Sequence, residues 1–276
     1  MKKYKSRVLI SLLVLFALMM GVYSGFVAQR EGFHSALHSR IVGHTPPCCQ
    51  EEVAMVLSVG IEGDHDLFVD AVREFVNENS IRPPIGSPHG FPAYDTGGVI
   101  RSLLAASRGT GKHPHLLCSS RANAMGGILE TFGIKSRQVH LYSQNNGSHT
   151  FIEVQNPVTG IWVVHDPDYN IFWVNRQEER RIGLGEMVTT PTEKIVPCRV
   201  LADCDWNLGK HLRSFLGVGV YFDFDGPPHV LINRNRFDPA TLLPYSSPPQ
   251  TLEKYISGLW SLDHGPPVVS IVSGAI

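Results

Sequence analysis

The chain has 276 residues, 43% hydrophobic and 18% charged, which excludes wholesale disorder and allows one large domain or two small ones around a substantial core. Its formal net charge of −1 hides an asymmetry: Lys2, Lys3, Lys5 and Arg7 crowd the start, and no acidic residue precedes Glu31. Taking those four cations from the 24 leaves 20 basic against 25 acidic residues, and so acidic a body has no electrostatic grip on nucleic acid.

Residues 1–7 therefore read as a basic cytoplasmic tail. Val8–Ala28 follows as 21 residues without a charge, the length of an apolar helix across a bilayer. Cations on one flank only hold the tail inside and send the remainder across. A cleaved signal peptide is the rival, with Val22 and Ser24 as the −3 and −1 residues of a cut before Gly25. The apolar run is long for such a peptide, so an uncleaved transmembrane anchor is favoured. Either way the body is extracytoplasmic, membrane-tethered in the first reading and secreted in the second.

An oxidising compartment pairs thiols. Five are present: Cys48, Cys49, Cys118, Cys198 and Cys204. Cys198 and Cys204 are close enough to close a small loop. A bridge between the adjacent Cys48 and Cys49 is strained, which leaves their partners open, and the odd count leaves at least one thiol over. No CxxC pair or His-rich ligand spacing occurs, so no metal is expected.

Residues 29–63 read as a stalk and lead-in. "DHDLFVDAVREFVNENS" then places Leu67, Phe68, Ala71, Val72, Phe75 and Val76 on one helical face. A Pro/Gly-rich connection leads to Asp95 or Thr96, either of which can cap a helix carrying Val99, Ile100, Leu103 and Leu104. In "HLLCSSRANAMGGILETFG", residues 115–133, Ala122, Met125, Ile128, Leu129 and Phe132 recur at helical spacing and Gly133 is a natural stop. Cys118 sits at the first turn of that helix, where unpaired N–H groups and the helix dipole favour an anionic sulfur.

Beyond Gly133 the period shortens, and "SRQVHLY", "HTFIEV" and "IWVVHD" read as three strands. The turn "NPVTG" makes the last two a hairpin. Farther on, "GVGVYFDFDG" suggests a strand and "TLEKYISGLW" a short helix, but residues 176–276 form an extension to which the sequence assigns no role. "DPDYN" at 166–170 begins like a calcium loop, yet Ile171 stands where the turn glycine belongs and Gln177 where the bidentate Glu belongs. The "NGS" at 146–148 is a glycosylation sequon in form, but it abuts His149.

A cysteine opening a helix, a strand opening with His149 and a strand ending in Asp166 follow the order of a thiol catalytic triad. Cysteine supplies the nucleophile, histidine the proton carrier, and a carboxylate the tautomer and orientation of the histidine. His165 should face the other side of its strand. Arg137 and Glu153 suit structural ion pairs, and Phe151 and Trp162 suit the core.

Three local patterns carry a resemblance. "LLCSSRANAMGGILETFGIKSRQVHLY", "GSHTFIEV" and "GIWVVHDPDYN" resemble, in order, the Cys helix, the His strand and the Asp-Pro strand of the transglutaminase-like superfamily of papain-type thiol enzymes. The resemblance covers roughly residues 110–170 and implies an α+β core over 64–175, with the Cys helix packed on an antiparallel sheet. It implies Cys118 as nucleophile, His149 as base and Asp166 as orienting carboxylate, with no cofactor.

The implied activity is acyl transfer or hydrolysis at an amide or peptide bond, hydrolysis being slightly favoured, with a peptide, protein or other amide as substrate. One departure stands out: "GTGKHPHLL" lacks the oxyanion-hole Gln of papain-like enzymes, which leaves His113, His115 or another backbone N–H for that task. The alternative is a non-catalytic binding or assembly protein at the cell surface that keeps the same fold.

Overall fold

The computed structural model describes residues 48–57, 64–84, 95–143, 147–205, 207–208, 210–222, 228–234, 236–238, 240, 242–243, 250–252, 254 and 268–272. The basic tail, the apolar run at 8–28 and most of "TLEKYISGLW" lie outside them. Among the described residues no helix is long and apolar enough to cross a membrane. All of them belong to one compact unit, Thr45–Ile276.

Among the described residues four helices precede the strands. α1, Gln50–Leu57, places Glu51 and Glu52 in its first turn, where they complement the helix dipole, and buries Val53 and Leu57. The lead-in thus contributes to the core instead of serving wholly as a stalk. α2, His65–Glu78, is capped by Asp64, whose carboxylate accepts the Asp66 and Leu67 N–H groups at 2.9 and 3.4 Å.

Its buried face runs through Phe68, Val69, Val72, Phe75 and Val76, whereas Leu67 is 59% exposed. The apolar stripe is therefore rotated by about one residue from the expected one. α3, Thr96–Ser107, is capped by Asp95 through the Gly98 N–H at 2.8 Å and buries Val99, Ile100, Leu103 and Leu104. α4, Cys118–Thr131, ends before Gly133, which takes the left-handed φ of +71° that only glycine adopts without strain.

β1 (Ser136–Ser143), β2 (Gly147–Gln155) and β3 (Trp162–Asp166) fall on the three expected strands. They form an antiparallel meander, in register through Arg137↔Glu153 and Ile152↔His165. β4 (Ile171–Asn175), β5 (Arg180–Arg181), helix α5 (Leu184–Thr189), β6 (Ile195–Cys198), β7 (Val218–Phe222) and β8 (Pro228–Asn233) follow. β9 (Leu242–Leu243) and β10 (Gln250–Thr251) pair with each other, and β11 (Val268–Val272) ends the described chain.

The main sheet runs β11-β8-β7-β1-β2-β3-β4-β5, with β6 also on β4. Its pairings are antiparallel except β11 with β8, so the architecture is α+β. The described part of residues 176–276 thus adds β5 to β8 and β11 to the same sheet: β7 covers β1 and β6 covers β4, two apolar edges that would otherwise invite pairing with another chain.

The sheet separates two cores, because alternate side chains leave a strand on opposite faces. On one face Ile152 and Val154 meet Phe68, Val72, Ile100, Leu103, Met125 and Ile128 of the helices. On the other, Val139, Leu141, Phe151, Val164 and Trp173 meet Leu184, Met187, Leu212 and Phe215 of the chain beyond residue 176. Cys198 is bonded to Cys204, and the adjacent pair Cys48–Cys49 is joined to itself. Cys118 is free.

Candidate active site

Cys118 is the first residue of α4 and is half-buried. The N-cap, Leu117, makes no side-chain cap hydrogen bond, so the first turn beside the sulfur is left without a capping side chain. The chain enters it tethered to its neighbour: the Ile81 N–H donates to the Pro114 carbonyl, and the Leu116 N–H to the Ile81 carbonyl, each at 2.9 Å. His113 and His115 are exposed.

His149 and Asp166 share the sheet face that carries Phe151 and Val164. Extending the β2–β3 register sets them diagonally across the two strands, a separation that long side chains bridge. Both are buried, and His149 Nε2 donates to Asp166 Oδ2 at 2.7 Å. That leaves Nδ1 free of Asp166, and the nearby Cys118 sulfur also favours the charged form of the ring.

The ring lies among Phe151, Tyr169 and Phe215, with centroids 5.8, 5.6 and 6.2 Å away. Burial there disfavours the imidazolium. The Asp166 charge and hydrogen bond, with the Cys118 contact, outweigh it and push the histidine up to about 10.

Asp166 is oriented by its own turn. Its Oδ1 accepts the N–H groups of Asp168 and Tyr169 at 2.9 and 3.3 Å, so Oδ2 is the oxygen turned to histidine. Two helices clamp that turn. From α2, Asn77 donates to the Pro167 and Asp168 carbonyls at 3.0 and 3.1 Å, and Arg73 Nε donates to Asn170 Oδ1 at 3.0 Å.

From α4, Arg121 donates to the Asp168 carbonyl at 2.9 Å and to its Oδ1 at 3.1 Å, while reaching the Ser80 carbonyl at 3.2 Å. Asp168 is pushed up, first by burial and next by Asp166, while Arg82 and Arg121 pull it back down. One turn of α4 thus carries both the thiol and the arginine that holds the carboxylate turn.

His165 lies on the opposite sheet face, where its Nδ1 is 3.3 Å from Arg73 Nη1. Burial, and then the Arg73 charge, hold it well below its ordinary value. Arg137 pairs with Glu153 at 2.8 Å and stacks on Trp162 at 4.2 Å, so Trp162 is a half-buried platform instead of core.

Four residues near Cys118, His149 and Asp166 were not singled out in the sequence: Arg82, Arg121, Tyr169 and Phe215. Arg121 was detectable three residues after the cysteine. Phe215 becomes a neighbour only through the sheet. Among the described residues no cluster of three or more His, Cys, Asp or Glu side chains is placed to hold a metal ion.

No family model matches the chain, and no curated protein matches it. Among solved structures, one from Cytophaga hutchinsonii carrying the name "putative cysteine protease" is similar at a TM-score of 0.29 and 14% identity. The overlap covers 45% of this chain and 39% of that one, so well under two thirds of the other protein's length is spanned.

Proposed function

We propose that this protein is an extracytoplasmic thiol enzyme that cleaves or transfers an acyl group at an amide or peptide bond, with Cys118 as nucleophile, His149 as proton carrier and Asp166 as orienting carboxylate. The observation that carries this reading is the buried hydrogen bond from His149 Nε2 to Asp166 Oδ2 at 2.7 Å, with the free Cys118 near enough to the same ring to favour its charged form.

In the reaction, the sulfur attacks the carbonyl carbon and the C–N bond breaks. The proton held by His149, pushed up to about 10, goes to the departing amine. The resulting thioester is attacked by water or a second amine, whose proton returns to His149, and the thiol is regenerated. The uncapped first turn of α4 supplies N–H donors for the oxyanion. Water as acceptor makes the protein a hydrolase, the favoured outcome, and an amine makes it a transferase.

Two disulfides beside one free thiol support an oxidising compartment. The one-sided basic tail before Val8–Ala28 supports a membrane anchor.

The test is labelling of the intact protein with fluorescent iodoacetamide at pH 7 without prior reduction, followed by peptide mapping. In parallel, a panel of fluorogenic peptide amides is assayed with water or a primary amine as acceptor. Cys118 is expected to label, and Cys118→Ala to abolish turnover without loss of fold. An inert Cys118 in the folded wild type overturns the enzyme reading in favour of a binding or assembly role.

A further inference from the structure

We propose that Arg82 is a specificity-determining residue of the Cys118 site, selecting substrates whose acyl group carries a carboxylate close to the reacting carbonyl. This deepens the thiol acyl-transfer reading and rests on it.

Two independent routes bring Arg82 to the rim of the site. Along the backbone, the paired N–H and carbonyl of Ile81 hold its segment beside Pro114–Leu116, the residues that lead into Cys118. Through side chains, the Arg82 guanidinium lies over the Tyr169 ring at 5.1 Å and its Nη1 donates to the Tyr169 hydroxyl. That ring also lies 5.6 Å from the His149 ring. Arg82 is also electrostatically coupled to the Cys118 sulfur.

The charges around the sulfur decide what Arg82 is for. Asp166 is matched by His149 at 2.7 Å, and Asp168 by Arg121 at 3.1 Å. Arg82 stands 3.4 Å from the second oxygen of Asp168, so it is the third cation facing two carboxylates. While the sulfur is anionic the set balances. In the thioester the sulfur is neutral and His149 has given its proton to the departing amine, so the set stays balanced, and of the three cations Arg82 alone is open to solvent.

Nearly half of the Arg82 side chain is open to solvent (48%), and its Nε and Nη2 make no hydrogen bond to the described residues. These are the donors a guanidinium uses to grip a carboxylate in two places. A purely structural arginine would be enclosed by acceptors, as Arg73 is with Asp70, Asn170 and the Arg199 carbonyl.

The test needs no knowledge of the natural substrate. Iodoacetate and iodoacetamide both transfer a two-carbon group to a thiolate sulfur with loss of iodide, and they differ chiefly in the charge of that group. Their rates at Cys118 are measured by peptide mapping on the whole protein, in wild type, Arg82→Gln and Arg82→Lys.

Arg82→Gln is expected to lower the iodoacetate-to-iodoacetamide rate ratio by about five- to tenfold, with the iodoacetamide rate itself held within about twofold. Arg82→Lys, which keeps the cation, is expected to keep the ratio within about threefold of wild type. An unchanged ratio in a folded Arg82→Gln protein overturns the assignment, as does an equal fall for both reagents, which would mark a merely structural arginine. A wild-type Cys118 inert to both reagents fails the thiol-enzyme reading itself, and so is distinguishable from failure of Arg82 alone.

Discussion

Asp166→Asn is the substitution whose outcome the geometry determines most fully. The side chain has no solvent exposure and is nearly isosteric with asparagine, so shape is preserved. Its two oxygens are committed differently: Oδ1 accepts the Asp168 and Tyr169 N–H groups, and Oδ2 accepts from His149 Nε2. An asparagine has only one acceptor. Turning its amide nitrogen toward the two backbone donors would orphan both, at about 1–3 kcal/mol each.

Even the smaller sum, ~2 kcal/mol, is about a thirtyfold preference for keeping the carbonyl on the backbone. The NH₂ group then points at Nε2, which must accept, and the ring's one proton moves to Nδ1, facing sulfur. In that tautomer His149 cannot take the thiol proton. With the carboxylate gone, burial also dominates and pulls the histidine down from about 10.

Turnover should fall about 10³- to 10⁴-fold, and alkylation of Cys118 by a smaller factor, since alkylation needs no proton for a leaving amine. The tautomer is read by ¹⁵N NMR of histidine-labelled protein, assigned with His149→Ala, and the rates by amide turnover and iodoacetamide labelling. A variant that keeps the Nε2–H tautomer, or turnover within about tenfold of wild type, refutes the reasoning.

Three further outcomes follow from the same contacts. His149 is raised in the folded state, so its stabilising contribution is fully present below its ordinary 6.5 and is lost as pH rises through about 10; the stability gap between wild type and His149→Gln, measured by urea unfolding, should be largest near pH 6, at most ~5 kcal/mol, and shrink toward pH 10. Gly183→Ala should destabilise by about 1–3 kcal/mol in the same assay, because its Cβ would lie 2.5 Å from the Trp162 carbonyl oxygen and 3.0 Å from Glu153 Oε1, neither free to retreat. A C-terminal reporter active only in the cytoplasm should stay silent on the full chain, and a bright signal would refute the topology read from Lys2, Lys3, Lys5 and Arg7.

What was legible in the sequence was whatever depends on short-range periodicity. The helix opened by Cys118 and its glycine stop, the capping Asp95 and the three-strand meander are each fixed by residues within one or two turns of each other. The His149–Asp166 contact belongs to the same class, because a tight hairpin sets the register and the register sets the diagonal pair. Leu67 was misread because a helix with apolar residues at 67, 68, 69, 71 and 72 fits two stripes equally well. Only the helices and strands packed against it, supplied by tertiary structure, choose between them.

The extension beyond residue 176 was illegible for a different reason. β7 and β6 are short strands whose partners lie up to about eighty residues away, and no local pattern encodes which edge they will cover. Yet that extension decides the chemistry of the site. Phe215 stands 6.2 Å from His149, and the second core beneath the ring is largely built from the same stretch.

Without this cover the imidazole would lie in water, where the Asp166 carboxylate is screened and the relay to Cys118 loses much of its strength. The cover costs the imidazolium its hydration, and Asp166 is affordable as its counter-charge only because Asn77, Arg73 and Arg121 hold its turn from two helices. The triad spacing at 118, 149 and 166 therefore specifies a candidate site, whereas its charge state is written in residues dispersed from 73 to 215.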